Sequence, residues 1–170
     1  MLARRYLDGE FSDLAPSALG ESVVAGIAPL FGAADHSTLN LESVVGRLTE
    51  DEATPGKRWT IQSPPEVTGM LHVLGVDLAV LGNNHISDWE DAGIESTLEV
   101  LDDDAIPHVG AGLDLRSAAR PIVQRVGELD VATLSPTGGG WRSWADRWCA
   151  TWGWPATSAT SPCPGRRWSS

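Results

Sequence analysis

The chain predicts an α/β protein, helices layered on a mostly parallel sheet. Three observations carry that expectation. Val76-Asp77-Leu78-Ala79-Val80-Leu81 is a short apolar run bounded by Gly75 and Gly82, the pattern of a strand buried on both faces. Helical and strand patterns alternate along the first 137 residues. The polar cluster Asn83-Asn84-His85-Ile86-Ser87-Asp88 follows the buried run directly, at the strand end where open α/β sheets place ligands.

Glu21–Phe31 carries Val23, Val24, Ile27, Leu30 and Phe31 as a helical apolar stripe, with Pro29 weakening its last turn. His36–Ser43 alternates towards Leu39 and Leu41 and predicts a strand. Val44–Gln62, rich in Thr, Glu, Gly and Pro, reads as a long surface loop. A helix is expected next. Ser63 would be its N-cap, Pro64 its first residue and Glu66 the partner in a capping box. Val67, Met70, Leu71 and Leu74 form its inner stripe and Gly75 its C-terminal stop.

After the buried strand and its polar loop, a helix starts near Asp88–Asp91 with Ile94, Leu98 and Leu101 inward. Ile106–Val109 is a short strand, and Leu113–Ala119 a short helix or turn. Arg120–Val126 and Leu129–Leu134 predict a hairpin turning at Gly127-Glu128.

Residues 138–170 differ in character. Six of the eight Trp lie there (Trp141, Trp144, Trp148, Trp152, Trp154 and Trp168), as do both cysteines, Cys149 and Cys163. The formal charge of -11 divides into +3 for residues 141–170 and -14 for the first 140. Trp141, Trp144, Trp148 and Trp152 would share one helix face, yet the pattern dissolves after Pro155. An amphipathic surface segment, a disordered tail and a segment translated out of frame all suit this stretch. The abruptness of the break favours the last. The cysteines have neither the number nor the spacing of a disulfide framework or zinc site.

The 170 residues suit one ordinary domain. The acidic balance argues against nucleic acid as a partner, because phosphate backbones need basic patches. No apolar run reaches the roughly 18–20 residues of a membrane span. Met1–Tyr6 is followed by acidic residues and does not read as a signal peptide.

Asn amide oxygens and His nitrogens ligate hard to borderline divalent cations, and His is the commonest general acid or base. The loop Asn83–Asp88 therefore suits a metal-assisted reaction. It also suits a polar turn in which Asn83 takes the left-handed conformation. Asp88 stands where an N-cap is expected, and also where it could orient His85. Asp35 and His36 are adjacent on an extended segment and point to opposite faces, so His36 is expected to be structural. His72 is expected to face solvent. His108 precedes Gly110-Ala111-Gly112, a strand-to-helix connection without the full dinucleotide fingerprint.

Asn40-Leu41-Glu42 after Ala34-Asp35, then Asn83-Asn84-His85-Ile86-Ser87-Asp88, Gly93, Thr97-Leu98, Ile106, Gly110-Ala111-Gly112, Ala118-Ala119 and Pro121 form an ordered series. In order and spacing the series resembles the CapA family, the poly-γ-glutamate capsule biosynthesis proteins, over roughly Met1 to Thr137. The pair N-L-E and N-N-H-x-x-D carries the specificity.

The resemblance implies a layered metallophosphatase-like sandwich over residues 1–137. It implies a divalent metal ion (Mn, Mg, Fe or Zn) held by Glu42, Asn84 and Asn40, with Asn40 alternatively hydrogen-bonded to Glu42. His85 would act as acid or base, oriented by Asp88. The implied chemistry is hydrolysis or transfer at a phosphoryl or acyl centre. The implied partners are an anionic polymer and capsule-synthesis membrane proteins, at a membrane-associated or extracytoplasmic location.

Two departures qualify this. The family opens with a strand ending in Gly-Asp, and the chain begins after that point. The family continues with His-containing motifs where residues 138–170 are Trp-rich. The expectation is therefore an internal fragment with an incomplete site and weak or no activity alone. Two alternatives stand beside it: a non-catalytic, cation-dependent polymer-binding component, and a truncated product without function.

Overall fold

The computed structural model describes residues 23–137. In chain order its elements are α1 (Ala28–Gly32), β1 (Thr38–Asn40), β2 (Val44–Val45), a 3-10 turn (Glu50–Glu52), β3 (Gln62–Ser63), α2 (Val67–Leu74), β4 (Leu78–Val80), α3 (Glu90–Asp103), β5 (His108–Val109), α4 (Leu115–Ala118), β6 (Ile122–Val126) and β7 (Leu129–Thr133). The fold is α/β. Its main sheet has the order β1-β4-β5, all parallel, with β4 central.

A central parallel strand must be apolar on both faces, and Leu78, Ala79 and Leu81 are fully buried. Register is pinned at the amino ends of β1 and β4, where the Ser37 amide donates to Asp77 Oδ2 at 2.7 Å. Thr38 then pairs with Leu78, and Asn40 with Val80. The carboxyl ends of the two strands therefore finish side by side.

In α2 the expected stripe is the inner face: Val67, Met70, Leu71 and Leu74 are buried. Gly75 ends the helix at φ +69°, the left-handed region open to glycine. Its amide bonds His72 O at 3.0 Å and the Val76 amide bonds Leu71 O at 3.1 Å, a Schellman motif. The helix begins differently from expectation. Ser63 belongs to β3, and its hydroxyl meets that of Ser43 at 2.8 Å instead of capping a helix. Pro64 disfavours a helical Ser63, and a tight turn through Pro65-Glu66, closed by the Val67 amide donating to Pro64 O at 3.0 Å, leads into the helix. Glu66 pairs with Arg47, so no capping box forms.

Val44–Gln62 is not a free surface loop. Its ends are β2 and β3, paired in parallel, and Val44, Val45 and Ile61 are buried. Helix α3 covers β2. Thr97 Oγ1 accepts from the Val45 amide at 2.9 Å, and Ser96 Oγ donates to Val45 O at 2.9 Å. These hydroxyls satisfy backbone groups of an edge strand. The approach is close enough that a Cβ on Gly93 would lie 2.8 Å from Trp89 Cβ and 3.0 Å from Val44 Cγ2.

The amino-terminal stripe is corrected too. Pro29 lies at the start of α1, where its missing N–H costs nothing, and Val24 alone of the named residues is fully buried. Val23, Ile27 and Leu30 are exposed, and Phe31 packs against the core; the continuous stripe does not form, because residues 25–27 are a turn and α1 spans only Ala28–Gly32. The hairpin β6–β7 forms as expected, turning at Gly127 with φ +57°. It ties to the main sheet through Gln124 Nε2 donating to Asp77 O at 2.8 Å. No helix among the described residues is long and apolar enough to cross a membrane. The Trp-rich residues 138–170 lie outside the described residues.

Candidate functional site

The carboxyl ends of β1 and β4 are joined by one side chain. Asn83 Nδ2 donates to Asn40 Oδ1 at 3.1 Å and to Leu41 O at 3.0 Å. Its other atom, Oδ1, accepts from the His85 amide at 2.9 Å and the Ile86 amide at 3.1 Å. This is an Asx turn, in which a short amide mimics backbone and folds the loop over itself. Asn83 does not take the left-handed conformation. Among the described residues only Glu90 and Ala105 do so without being glycine. The side-chain bonds supply the turn instead.

The turn delivers His85 to Asp88. His85 Nδ1 lies 2.9 Å from Asp88 Oδ2. Asp88 is fully buried, and Trp89 takes the N-cap position of α3, so the expected capping role is corrected. A buried carboxylate needs partners, and it has them. The Ile61 amide donates to Oδ2 at 2.5 Å, and the Lys57 ammonium pairs with Oδ1. Lys57 also donates to Asn84 O at 2.5 Å. Surrounded by donors, Asp88 acts as acceptor, which assigns the imidazole proton to Nδ1. Nε2 is left without a protein partner among the described residues.

The other expected residues lie around this turn. Glu42 is half-buried just beyond β1; Asn40 and Asn84 are exposed. Asn40 Oδ1 accepts one hydrogen bond and keeps a second lone pair. A carboxylate, amide oxygens and an imidazole nitrogen are the donor types that suit a hard to borderline divalent cation. Among the described residues no three His, Cys, Asp or Glu side chains converge on one point. The residues therefore fit part of a coordination shell. His36 sits beside Asp77 at 3.8 Å, at the opposite end of the strands. His72 is exposed, and His108 Nδ1 meets Ile106 O at 3.0 Å.

Two residues of this arrangement escaped the sequence reading. Asn83, not Asn84, makes the contacts to β1. Lys57 reaches the loop from the segment taken for free surface; a lone Lys between Gly56 and Arg58 carries no pattern that could have revealed this.

A polar loop at the carboxyl ends of parallel strands, with a buried Asp holding an imidazole, defines an α/β protein with a candidate ligand site between strand tips. Its family is shown by comparison. The model of the bacterial capsule synthesis protein family, PGA_cap, matches residues 6–162, and the chain belongs to that family. The match agrees with the CapA resemblance. Two uncharacterized proteins of Sinorhizobium fredii (strain NBRC 101917 / NGR234), y4sH and y4uA, are each 29% identical over 113 residues. That stretch is 64% of this chain and 24% of each relative, so the chain spans about a quarter of their length.

Proposed function

We propose that this chain serves capsule synthesis through the site at the tips of β1 and β4, acting on a phosphoryl or acyl centre of an anionic polymer such as poly-γ-glutamate. The observation that carries this reading is the Asn83 bridge, which puts Asn40 and the Asn84-His85 pair at one end of the sheet. Glu42, Asn40 and Asn84 would hold a divalent cation. When bound, the cation supplies Lewis-acid polarisation and water activation. His85, held through Nδ1 by Asp88, presents Nε2 to give or take a proton at the reacting oxygen. Asp88 fixes the tautomer and ring orientation. Capsule-synthesis membrane proteins are the partners this role calls for.

The test uses chelator-treated protein supplied with Mn2+. The reading expects stoichiometric cation binding and slow hydrolysis of a generic phosphodiester, both lost in His85→Ala and kept in His72→Ala. Absence of both from the wild-type chain overturns it.

A second reading is favoured by the exposed Arg58–Trp59 pair beside Lys57, with Arg58 Cζ 5.2 Å from the ring centroid. A cation and an aromatic at the site's edge suit a surface that grips an anionic polymer without turnover. Retention of poly-γ-glutamate that chelator abolishes, with no hydrolysis, selects this reading over the first.

A further inference from the structure

The segment Thr49–Ile61 lies across the Asn83–Asp88 loop as a strap. Trp89 Nε1 donates to Thr49 O at 2.8 Å. The Thr54 amide donates to Asp88 O at 2.8 Å, and Thr54 Oγ1 to Ser87 O at 2.7 Å. The Ile61 amide donates to Asp88 Oδ2 at 2.5 Å. At the centre, Lys57 Nζ holds Asn84 O at 2.5 Å and the Asp88 carboxylate together. Asn84 and Asp88 are the two ends of the turn that contains His85. One ammonium thus ties both ends, and it is the cation that compensates a fully buried carboxylate. Its own side chain is three-quarters buried, 25% exposed.

We infer that Lys57 is a positioning residue: it bolts the His85 turn in the shape the site uses. The inference rests on the proposed site for its functional meaning, but its structural content stands apart. Without the ammonium, Asp88 is a buried charge with one amide and one imidazole. The turn then opens to let the carboxylate reach water, and His85 loses its fixed seat. A lysine that is only a solvated surface charge would leave the turn unchanged.

The experiment is amide hydrogen exchange on the full chain, without added cation, for wild type, Lys57→Met, Lys57→Arg and the remote control Arg120→Met. Met keeps the length of the stem and removes the charge. The expected result in Lys57→Met is exchange at least tenfold faster at Ile61, His85, Ile86 and Asp88, with Leu74, Val76 and Leu81 unchanged. Lys57→Arg restores most of the protection, and Arg120→Met matches wild type. Unchanged exchange at the loop overturns the inference. So does uniform acceleration across the loop and the core, which makes Lys57 a general stability residue. Should Lys57→Met not fold, the wild-type chain still decides through scalar coupling across the hydrogen bond from Lys57 Nζ to the Asn84 carbonyl. Observed coupling supports the bolt, and a freely rotating ammonium without it overturns the inference. Failure of wild type to bind Mn2+ bears on the proposed function alone, because these exchange rates are read with no cation present.

Discussion

Asn83 holds the loop with both ends of one amide, donating to β1 and accepting from the two amides beyond it. Replacing it by Ala removes all of these bonds, and the loss is expected to cost about 1–3 kcal/mol. Urea midpoints at constant m-value measure it. Asn83→Asp separates the two ends: it keeps the acceptor for the His85 and Ile86 amides and loses the donor to Asn40. Protection of those two amides should survive in Asp and vanish in Ala. If Asp and Ala lose it equally, the tie to β1 governs the turn instead. At this scale little was legible in the sequence. The N-N-H string marked the place, but no periodicity says which Asn of a turn faces a neighbouring strand. Lys57 lies far from His85 in sequence, and its contact is a product of tertiary folding. The orientation of His85 by Asp88 was legible, because their spacing puts both in a single turn. Burial decided that Asp88 does this and does not cap α3.

Helix α2 was readable because its apolar spacing and Gly75 agree, and both its inner face and its stop follow from local sequence. Its start was not, because Ser63 satisfies the composition of a cap while pairing with β2 claims it for a strand. Two-residue strands such as β2 and β3 have no period to detect. The seam between β2 and α3 predicts that Gly93→Ala destabilises by about 1–3 kcal/mol through overpacking against Trp89 and Val44. Thermal melts against Ala92→Gly, which changes helix propensity without that contact, isolate the effect. A fully buried Leu71 predicts a loss of about 2–5 kcal/mol for Leu71→Ala. Helix α4 offers a pH test. The Ser117 amide, and then its hydroxyl, hold the Asp114 carboxylate below its ordinary value of 3.8. A depressed folded value means the cap's contribution is intact above 3.8 and is lost as pH falls through the lower folded value. The Ser117 amide shift should therefore titrate with a midpoint under 3.8, and Asp114→Ala should abolish that step.

For the whole molecule, the α/β class followed from the buried run Val76–Leu81 and the alternation around it, and the sheet order β1-β4-β5 puts that run at the centre. What the sequence did not disclose is how the segment after β1 returns to pack beneath α3 and over the loop, since that path depends on contacts between distant residues. The described residues share one apolar core built from α2, β4, α3 and their flanks. They also expose Leu30, Val123 and Leu129. The core predicts cooperative unfolding, with calorimetric and van't Hoff enthalpies that agree; a broad transition with unequal enthalpies speaks for a product that does not fold stably. The chain belongs to the bacterial capsule synthesis protein family, and under the proposed function the strand tips are where that role would act. The most direct test is paramagnetic broadening of the wild-type chain's amide and side-chain resonances by substoichiometric Mn2+. The account predicts that Asn40, Glu42, Asn84 and His85 broaden together and first. Broadening confined to the exposed acidic stretches Glu50–Glu52 and Asp102–Asp104, with the strand tips untouched, contradicts it.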